Sequence, residues 1–389
     1  MTPTGAALTA ITGGHVLSGE DGAIAPADVI IDGGTIAGLA APGALPPGPS
    51  VLDARGLLVA PGFVDTHVHG ALGRNFMMAE REAIEAIGRF LSTHGVTSIL
   101  AATASLPRDH TLAPLLRLAR LRGRLTAGPE VLGIHLEGPF LSSDFRGVHR
   151  ADAVRAPASD EVAELLDELD DALRLVTLAP ERDGALAAVQ ALTDRGVVVS
   201  LGHSGASRAQ ARTAIDAGAR RATHLFNAMP EQDGDSLVDE ILDRPEVTVE
   251  IIADGFHVPP ATIGSLYAQI GAARVAIVSD GSDVTGLADG PHTRWEGTAV
   301  VVADGASRTP DGTLAGSIHP LDDALRLLVR EAHIPLNDAL RSLSEVPARS
   351  IGASRKGAIR PGADADAVML DQGLRVRATV AGGRLVHGG

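Results

Sequence analysis

An alternation of short apolar segments with amphipathic helical stretches constrains this chain more than any other feature. Eight segments read as buried parallel strands: Leu58–Val64, Thr97–Ala102, Val131–Leu136, Leu173–Leu178, Val197–Leu201, Arg221–Leu225, Val247–Ala253 and Arg274–Val278. Helical patterns such as Arg81–Thr93, Glu161–Leu169, Ala185–Arg195 and Ala206–Ala217 fill the gaps. Eight βα units in one run predict a (β/α)8 TIM barrel spanning 60–346. The competing arrangement is an open doubly wound sheet. No GxGxxG or Walker loop follows an early strand, however, and the polar motifs are not gathered at a single switch point.

The two ends of the chain have a different texture. From Ala10 to Val59, short apolar runs (Ile11, Val16, Val29-Ile30-Ile31, Val51-Leu52) are broken by Gly-Gly, Asp-Gly and Pro-Pro signals. The segment from Gly357 to Val386 reads the same way. Neither end carries enough apolar surface to fold alone, so residues 1–59 and 347–389 are expected to combine into one small β-sandwich.

Composition narrows the chemistry. There is no cysteine, so a disulfide or a thiolate metal site is excluded and any metal must be held by His, Asp, Glu or backbone oxygen. A net charge of −15 argues against nucleic acid or an anionic membrane as a partner. It also offers an anionic substrate no long-range attraction. The first ten residues lack a basic head and a long apolar run, and no stretch approaches the ~20 apolar residues of a spanning helix. A cytoplasmic enzyme acting on a small molecule is the expectation.

The chemistry-bearing motifs lie where the strands run out. His67 and His69, in Asp65-Thr66-His67-Val68-His69, are two apart on an extended chain and so face one side, as two ligands of one metal would. Asp65 is expected to hydrogen-bond the loop or one of these histidines. Glu137 closes the third strand before Gly138-Pro139; a carboxylate there needs a cation or several donors. His135 is assigned to the opposite face, in a structural role. His203 and His224 end strands five and six, and Asp280 closes strand eight as either a turn residue or a base beside a metal-activated water. His149 and His257 sit on loops that meet substrate in a barrel or are simply exposed. The backbone of Asn227-Ala228, directly after His224, is within reach of a bound ligand. Imidazoles with a carboxylate suit Zn(II) first, and also Fe(II), Mn(II) or Co(II).

Taken together, the barrel, the terminal β-sandwich, the HxH pair and the strand-eight Asp resemble the amidohydrolase superfamily. Within it, His135-Leu136-Glu137-Gly138-Pro139-Phe140, Gly202-His203-Ser204, His224-Leu225-Phe226-Asn227-Ala228-Met229, Asp254-Gly255-Phe256-His257 and Leu314-Ala315-Gly316-Ser317 resemble the N-acetylglucosamine-6-phosphate deacetylase family across nearly the whole chain. The resemblance implies that Glu137, His203 and His224 bind the principal divalent metal. It further implies that His67 and His69 form a second site and that Asp280 is the catalytic carboxylate. By the same resemblance, His149, Asn227, Ala228 and His257 contact an amino-sugar substrate, and the protein is a homodimer.

The chain also departs from the family pattern. Relatives usually carry, some eleven residues after the strand-six histidine, an Arg that reaches the substrate phosphate across a dimer interface. Here that place falls in Gln232-Asp233-Gly234-Asp235, with Asp235 nearest. Ser279-Asp280-Gly281 replaces the more common Thr-Asp-Ala, and His319 is unusual so near the pocket. The resemblance implies a metal-dependent deacetylase of N-acetylglucosamine 6-phosphate. A differently phosphorylated or unphosphorylated N-acyl sugar stands as the alternative that Asp235 favours. A cyclic amidase is disfavoured because no Lys lies near Leu178-Ala179-Pro180-Glu181. A non-catalytic metal-binding scaffold is disfavoured because the ligand set is complete.

Overall fold

The apolar run at Leu58–Val64 does not form one strand. In the computed structural model, which describes residues 4–18, 22–230 and 234–388, it divides at Gly62. Leu58–Pro61 pairs with the terminal sheet, and the first barrel strand, β1, is Phe63–Val68. Periodicity could not find this break, because both strands are buried and uniformly apolar. The barrel continues with β2 (Val96–Ala102), β3 (Glu130–Glu137), β4 (Leu173–Leu178), β5 (Val198–Leu201), β6 (Arg221–Ala222), β7 (Thr248–Ile252) and β8 (Val275–Val278). They pair in parallel and in chain order from β1 to β8. The barrel closes between β8 and β1 through the Asp280 N–H, which donates to the His67 carbonyl (2.9 Å), and through a Val68–Gly281 bridge. Two predicted site residues thus sit on the closing seam.

Helices Arg81–Thr93, Ser159–Leu169, Ala185–Asp194 and Arg208–Asp216 lie close to their expected spans. The last is trimmed by a capping box, in which Ser207 and Gln210 satisfy each other's backbone N–H groups. Their apolar stripes (Ile84, Ile87 and Leu91 on the first) pack on the barrel in one continuous core. No helix among the described residues is long and apolar enough to cross a membrane.

The chain ends form one eight-stranded sheet around a separate core that includes Ile11, Val29, Ile36, Met369 and Val380. Each end of its strand order is also bonded to a segment from further inside the order, Leu8 N–H to Gly383 O (2.7 Å) and Ile36 N–H to Ala363 O (2.9 Å), which draws it round that core. Lys356 Nζ ties it to the barrel floor, lying 2.8 Å from Glu130, 2.8 Å from Asp364 and 2.9 Å from Asp366. A three-stranded antiparallel sheet (Gly290–Thr293, Ala299–Ala303, Ala306–Arg308) follows β8, an insertion that the βα rhythm of the sequence did not announce.

Candidate metal centre and active site

Glu137 ends β3 and becomes the hub of the barrel mouth. Its Oε1 lies 3.3 Å from His203 Nε2, 3.2 Å from His224 Nε2 and 3.1 Å from His67 Nε2. Its Oε2 lies 3.3 Å from His69 Nε2 and 3.2 Å from His149 Nε2. Two buried triads result, Glu137/His203/His224 and His67/His69/Asp280, and in each the ligand-type atoms lie within 4.8 Å of one another. His69 Nε2 is 3.2 Å and His67 Nε2 is 3.5 Å from Asp280 Oδ1.

Backbone geometry shows how strongly these side chains are constrained. His203, His224 and Asp280 adopt φ of 49°, 28° and 47°, a region that costs a residue with a Cβ on the order of 1 kcal/mol or more. Gly316 accommodates this at Asp280, since a Cβ there would come 2.9 Å from the Asp280 carbonyl oxygen. Gly138 leaves room for Ser105, whose Oγ a Cβ would meet at 2.2 Å.

Hydrogen bonds assign the tautomers. His203 Nδ1 faces the Phe145 carbonyl (2.9 Å), so it carries the proton and Nε2 presents a lone pair to Glu137 and His224. His67 Nδ1 donates to Glu250 Oε2 (3.1 Å). His67 Nε2 is buried, close to two carboxylates and well directed at neither, so its lone pair points into the space between them. His149 is the reverse case. The Ser105 backbone N–H donates to its Nδ1 (3.2 Å), which leaves the proton on Nε2, facing Glu137. These donors suit a divalent cation: neutral imidazoles with inward lone pairs, and carboxylates between them.

The charge balance agrees. Burial opposes ionisation of Glu137 and Asp280, yet the neighbouring imidazoles hold both carboxyls well below the usual range. Burial also opposes protonation of His67, and the surrounding carboxylates override it, raising His67 well above an ordinary imidazole; without a cation His67 therefore takes up a proton, and beside one it offers the Nε2 lone pair instead. Asp65 is pushed up to about 6 by burial; it accepts from Ser279 Oγ (2.5 Å) and from the His67 N–H (3.2 Å), joining β1 to the end of β8. Ser279 thus supplies the hydroxyl that a Thr would supply at this place.

The mouth opens into a cavity of about 470 Å³. It is lined by His69, Glu137, His149, His203, His224, Asn227, Ala228, His257 and Asp280, so nine of the ten predicted site residues share one space; His67 lies just beneath it. His257 is held by Asp254, whose Oδ2 accepts from its Nδ1 (2.7 Å). Asp235 does not line the cavity, and its carbonyl accepts from the Arg208 N–H (2.8 Å). Gln232 and Asp233 lie outside the described residues.

One placement is corrected. His135 does not face away from Glu137; residues two apart on a strand share a face. It packs edge-on against His67, with ring centroids 4.4 Å apart, and bonds Thr66 O (3.1 Å) and Thr177 Oγ1 (2.8 Å). Burial, with the His67 charge, lowers it to about 3, so it stays neutral in a structural role.

Sequence reasoning missed Glu250 and Arg221, both fully buried inside the barrel. Arg221 donates to Glu250, to Thr66 Oγ1 (2.9 Å) and to Ser350. Two ionisable residues in neighbouring apolar strands, with Glu250 two residues beyond Thr248, the register partner of Arg221, were the available signal. Ser105 and the inserted-sheet residues Arg294, Glu296 and Arg308 also line the cavity and carried no motif.

Comparison with known proteins gives the site its relatives. The profile of the amidohydrolase family matches residues 58–386. The chain is 34% identical to an N-acetylgalactosamine-6-phosphate deacetylase of Escherichia coli O157:H7, over 84% of this chain and 87% of that one. It is 35% identical to an N-acetylglucosamine-6-phosphate deacetylase of Bos taurus, over 86% and 84%. Among solved structures it resembles an N-acetyl-D-glucosamine-6-phosphate deacetylase of Mycobacterium smegmatis, an Asp-to-Ala variant in complex with N-acetyl-D-glucosamine-6-phosphate. That likeness has a TM-score of 0.89 and 34% identity, and covers 98% of this chain and 100% of that one.

Proposed function

The chain belongs to the amidohydrolase family, and from that premise we propose that it removes the acetyl group of N-acetylglucosamine 6-phosphate, giving glucosamine 6-phosphate and acetate. It is a hydrolytic, amide-cleaving enzyme that depends on a divalent metal. The observation that carries the reading is the pair of adjoining triads, Glu137/His203/His224 and His67/His69/Asp280, with Glu137 in reach of both, at the floor of a sugar-sized cavity.

In this reading Glu137, His203 and His224 hold the principal cation, and His67 and His69, with Asp280 beside them, hold a second. Zinc leads, since the donors are imidazole and carboxylate without thiolate; iron, manganese and cobalt share that preference. A divalent cation there supplies Lewis acidity, polarising the acetamide carbonyl and making a water acidic near neutral pH. Asp280, ionised and on the cavity wall, accepts the proton of the attacking water and returns it to the amine nitrogen as the C–N bond breaks. His149, with its proton on Nε2, donates to the carbonyl oxygen as negative charge develops. His257, oriented by Asp254, and Asn227-Ala228 position the sugar. A homodimer in the cytoplasm, where sugar phosphates are retained by their charge, completes the proposal.

A second reading, the galacto isomer as substrate, is favoured by the relative from E. coli O157:H7. Acetate release from the two N-acetylhexosamine 6-phosphates and from unphosphorylated N-acetylglucosamine, by metal-loaded protein, tests both. The expected result is a clear preference for N-acetylglucosamine 6-phosphate that is lost in Asp280→Asn. Equal rates with and without the phosphate, in protein of normal metal content, would sink the proposal.

A further inference from the structure

A phosphorylated substrate brings a dianion to a protein of net charge −15, so the cavity must hold a local cation. Three guanidinium groups line it. Arg150 is engaged by Asp152, with Nη2 2.6 Å from Oδ2, and Arg294 lies between Asp283 and Glu296, with Nε 3.3 Å from each. Arg308 differs. Its side chain donates only to the Gly312 carbonyl (2.9 Å), and among the described residues no carboxylate lies within ion-pair distance of it. Besides Glu137 and Asp280 among the imidazoles, two carboxylates, Asp144 and Glu296, line the cavity, and Arg294 counters the second. Arg308 is therefore the cavity guanidinium whose charge is left for a ligand.

Its position is rigidly tied to the reacting centre. Arg308 ends the third strand of the inserted sheet and pairs with Leu314. Next to it, the Ala315 N–H donates to the Ser307 carbonyl (2.9 Å), and two residues on, the Ser317 N–H donates to the Asp280 carbonyl (2.9 Å). Strand, turn and Asp280 form one hydrogen-bonded unit, so a group held by Arg308 keeps a constant distance from Asp280. Behind the sheet, the His319 Nε2–H donates to the Gly305 carbonyl (2.8 Å) while its ring stacks on Phe256, pinning the preceding turn.

We infer that Arg308, on the inserted sheet of the same chain, receives the phosphate of the substrate and sets the preference for phosphorylated over unphosphorylated sugar. The inference rests on the proposed deacetylase reading. It also accounts for the Asp at position 235: with a cation supplied in cis, no Arg is needed there from a partner.

The test is steady-state kinetics of metal-loaded wild type, Arg308→Ala and Arg308→Lys on N-acetylglucosamine 6-phosphate and on N-acetylglucosamine, with inorganic phosphate as a competing probe. Loss of one charge-assisted contact predicts that Arg308→Ala raises KM for the phosphorylated sugar on the order of ten- to a hundredfold. The kcat should change little, inhibition by phosphate should weaken in parallel, and Arg308→Lys should recover part of the loss. Kinetics on the unphosphorylated sugar and metal content should stay as in wild type, which controls for folding. Equal losses on both sugars, or no loss on either, overturns the inference while leaving the deacetylase reading intact. A wild type indifferent to the phosphate overturns both.

Discussion

Glu130 and Glu137 stand at opposite ends of β3, and the protein satisfies them in opposite ways. At the floor, Glu130 meets Lys356, whose ammonium also serves Asp364 and Asp366, with Arg124 3.3 Å from Glu130. The cations there belong to the chain. At the mouth, Glu137 is ringed by five imidazoles and, among the described residues, by no Lys or Arg. Imidazoles become cations only by taking up protons, so the mouth is built to accept positive charge from outside and the floor is not. A buried carboxylate by itself therefore says little about function. What distinguishes the two ends is whether the countercharge is covalently part of the protein.

The most severe way to test that contrast is Glu137→Gln, which keeps the shape and removes the charge. Metal affinity, read by dialysis against a weak chelator, should fall by more than the ~100-fold that loss of an outer partner typically costs, because the proposed function makes Glu137 a direct ligand. Deacetylation should fall with it. Undiminished metal binding would put Glu137 in the same class as Glu130.

The floor should respond in the opposite sense. Lys356→Met leaves Glu130, Asp364 and Asp366 short of a cation, and breaking such a buried set costs about 3 kcal/mol, with Arg124 and Arg355 keeping it at the low end. Burial would raise Asp364, but the Lys356 contact holds it below its ordinary value; burial would lower Lys356, but the carboxylates hold it above. A depressed carboxyl contributes stability above its unfolded value, lost as pH falls through the folded one. A raised ammonium contributes stability below its unfolded value, lost as pH rises through the folded one. The deficit of the variant should therefore span neutral pH and close below about pH 4, where wild type loses the same pairing. Chemical denaturation at several pH values measures it, with metal content and kcat expected to stay at wild-type levels. Loss of metal from this variant would mean the two ends are coupled.

How far these two regions were legible in the sequence follows from the same physics. The mouth was readable because histidines and carboxylates at the ends of apolar strands are costly there without a purpose, so each motif stood out. The barrel was readable from the βα period. The floor was not, because Lys356 and its partners come from segments more than two hundred residues apart in the case of Glu130, and no local pattern announces a pairing at that distance. The division of Leu58–Val64 at Gly62 was hidden by uniform burial. The inserted sheet was hidden because its strands are short, and one of them, Ala299–Ala303, alternates buried and exposed residues on a scale too small to distinguish from loop.

Glu250 sharpens the comparison, since it belongs to both modes at once. One oxygen takes the Arg221 guanidinium, as at the floor, and the other takes His67 Nδ1–H, as at the mouth. Burial would raise its carboxyl, yet the Arg221 charge and the His67 bond hold it well below the ordinary range, so it stays an acceptor. By keeping the proton on Nδ1, it leaves His67 Nε2 free for the second cation proposed at His67, His69 and Asp280. Glu250→Gln retains an oxygen for that bond and loses the charge; Glu250→Leu loses both and strands Arg221. Affinity at the second site, read by metal titration with the first site filled, should fall about tenfold in Gln and toward a hundredfold in Leu, the range seen when a ligand's outer partner is removed. The Glu137/His203/His224 site should fill normally in both, which separates a local effect from unfolding. If both variants bind two equivalents as tightly as wild type, Glu250 serves only to neutralise Arg221, and it belongs with the floor.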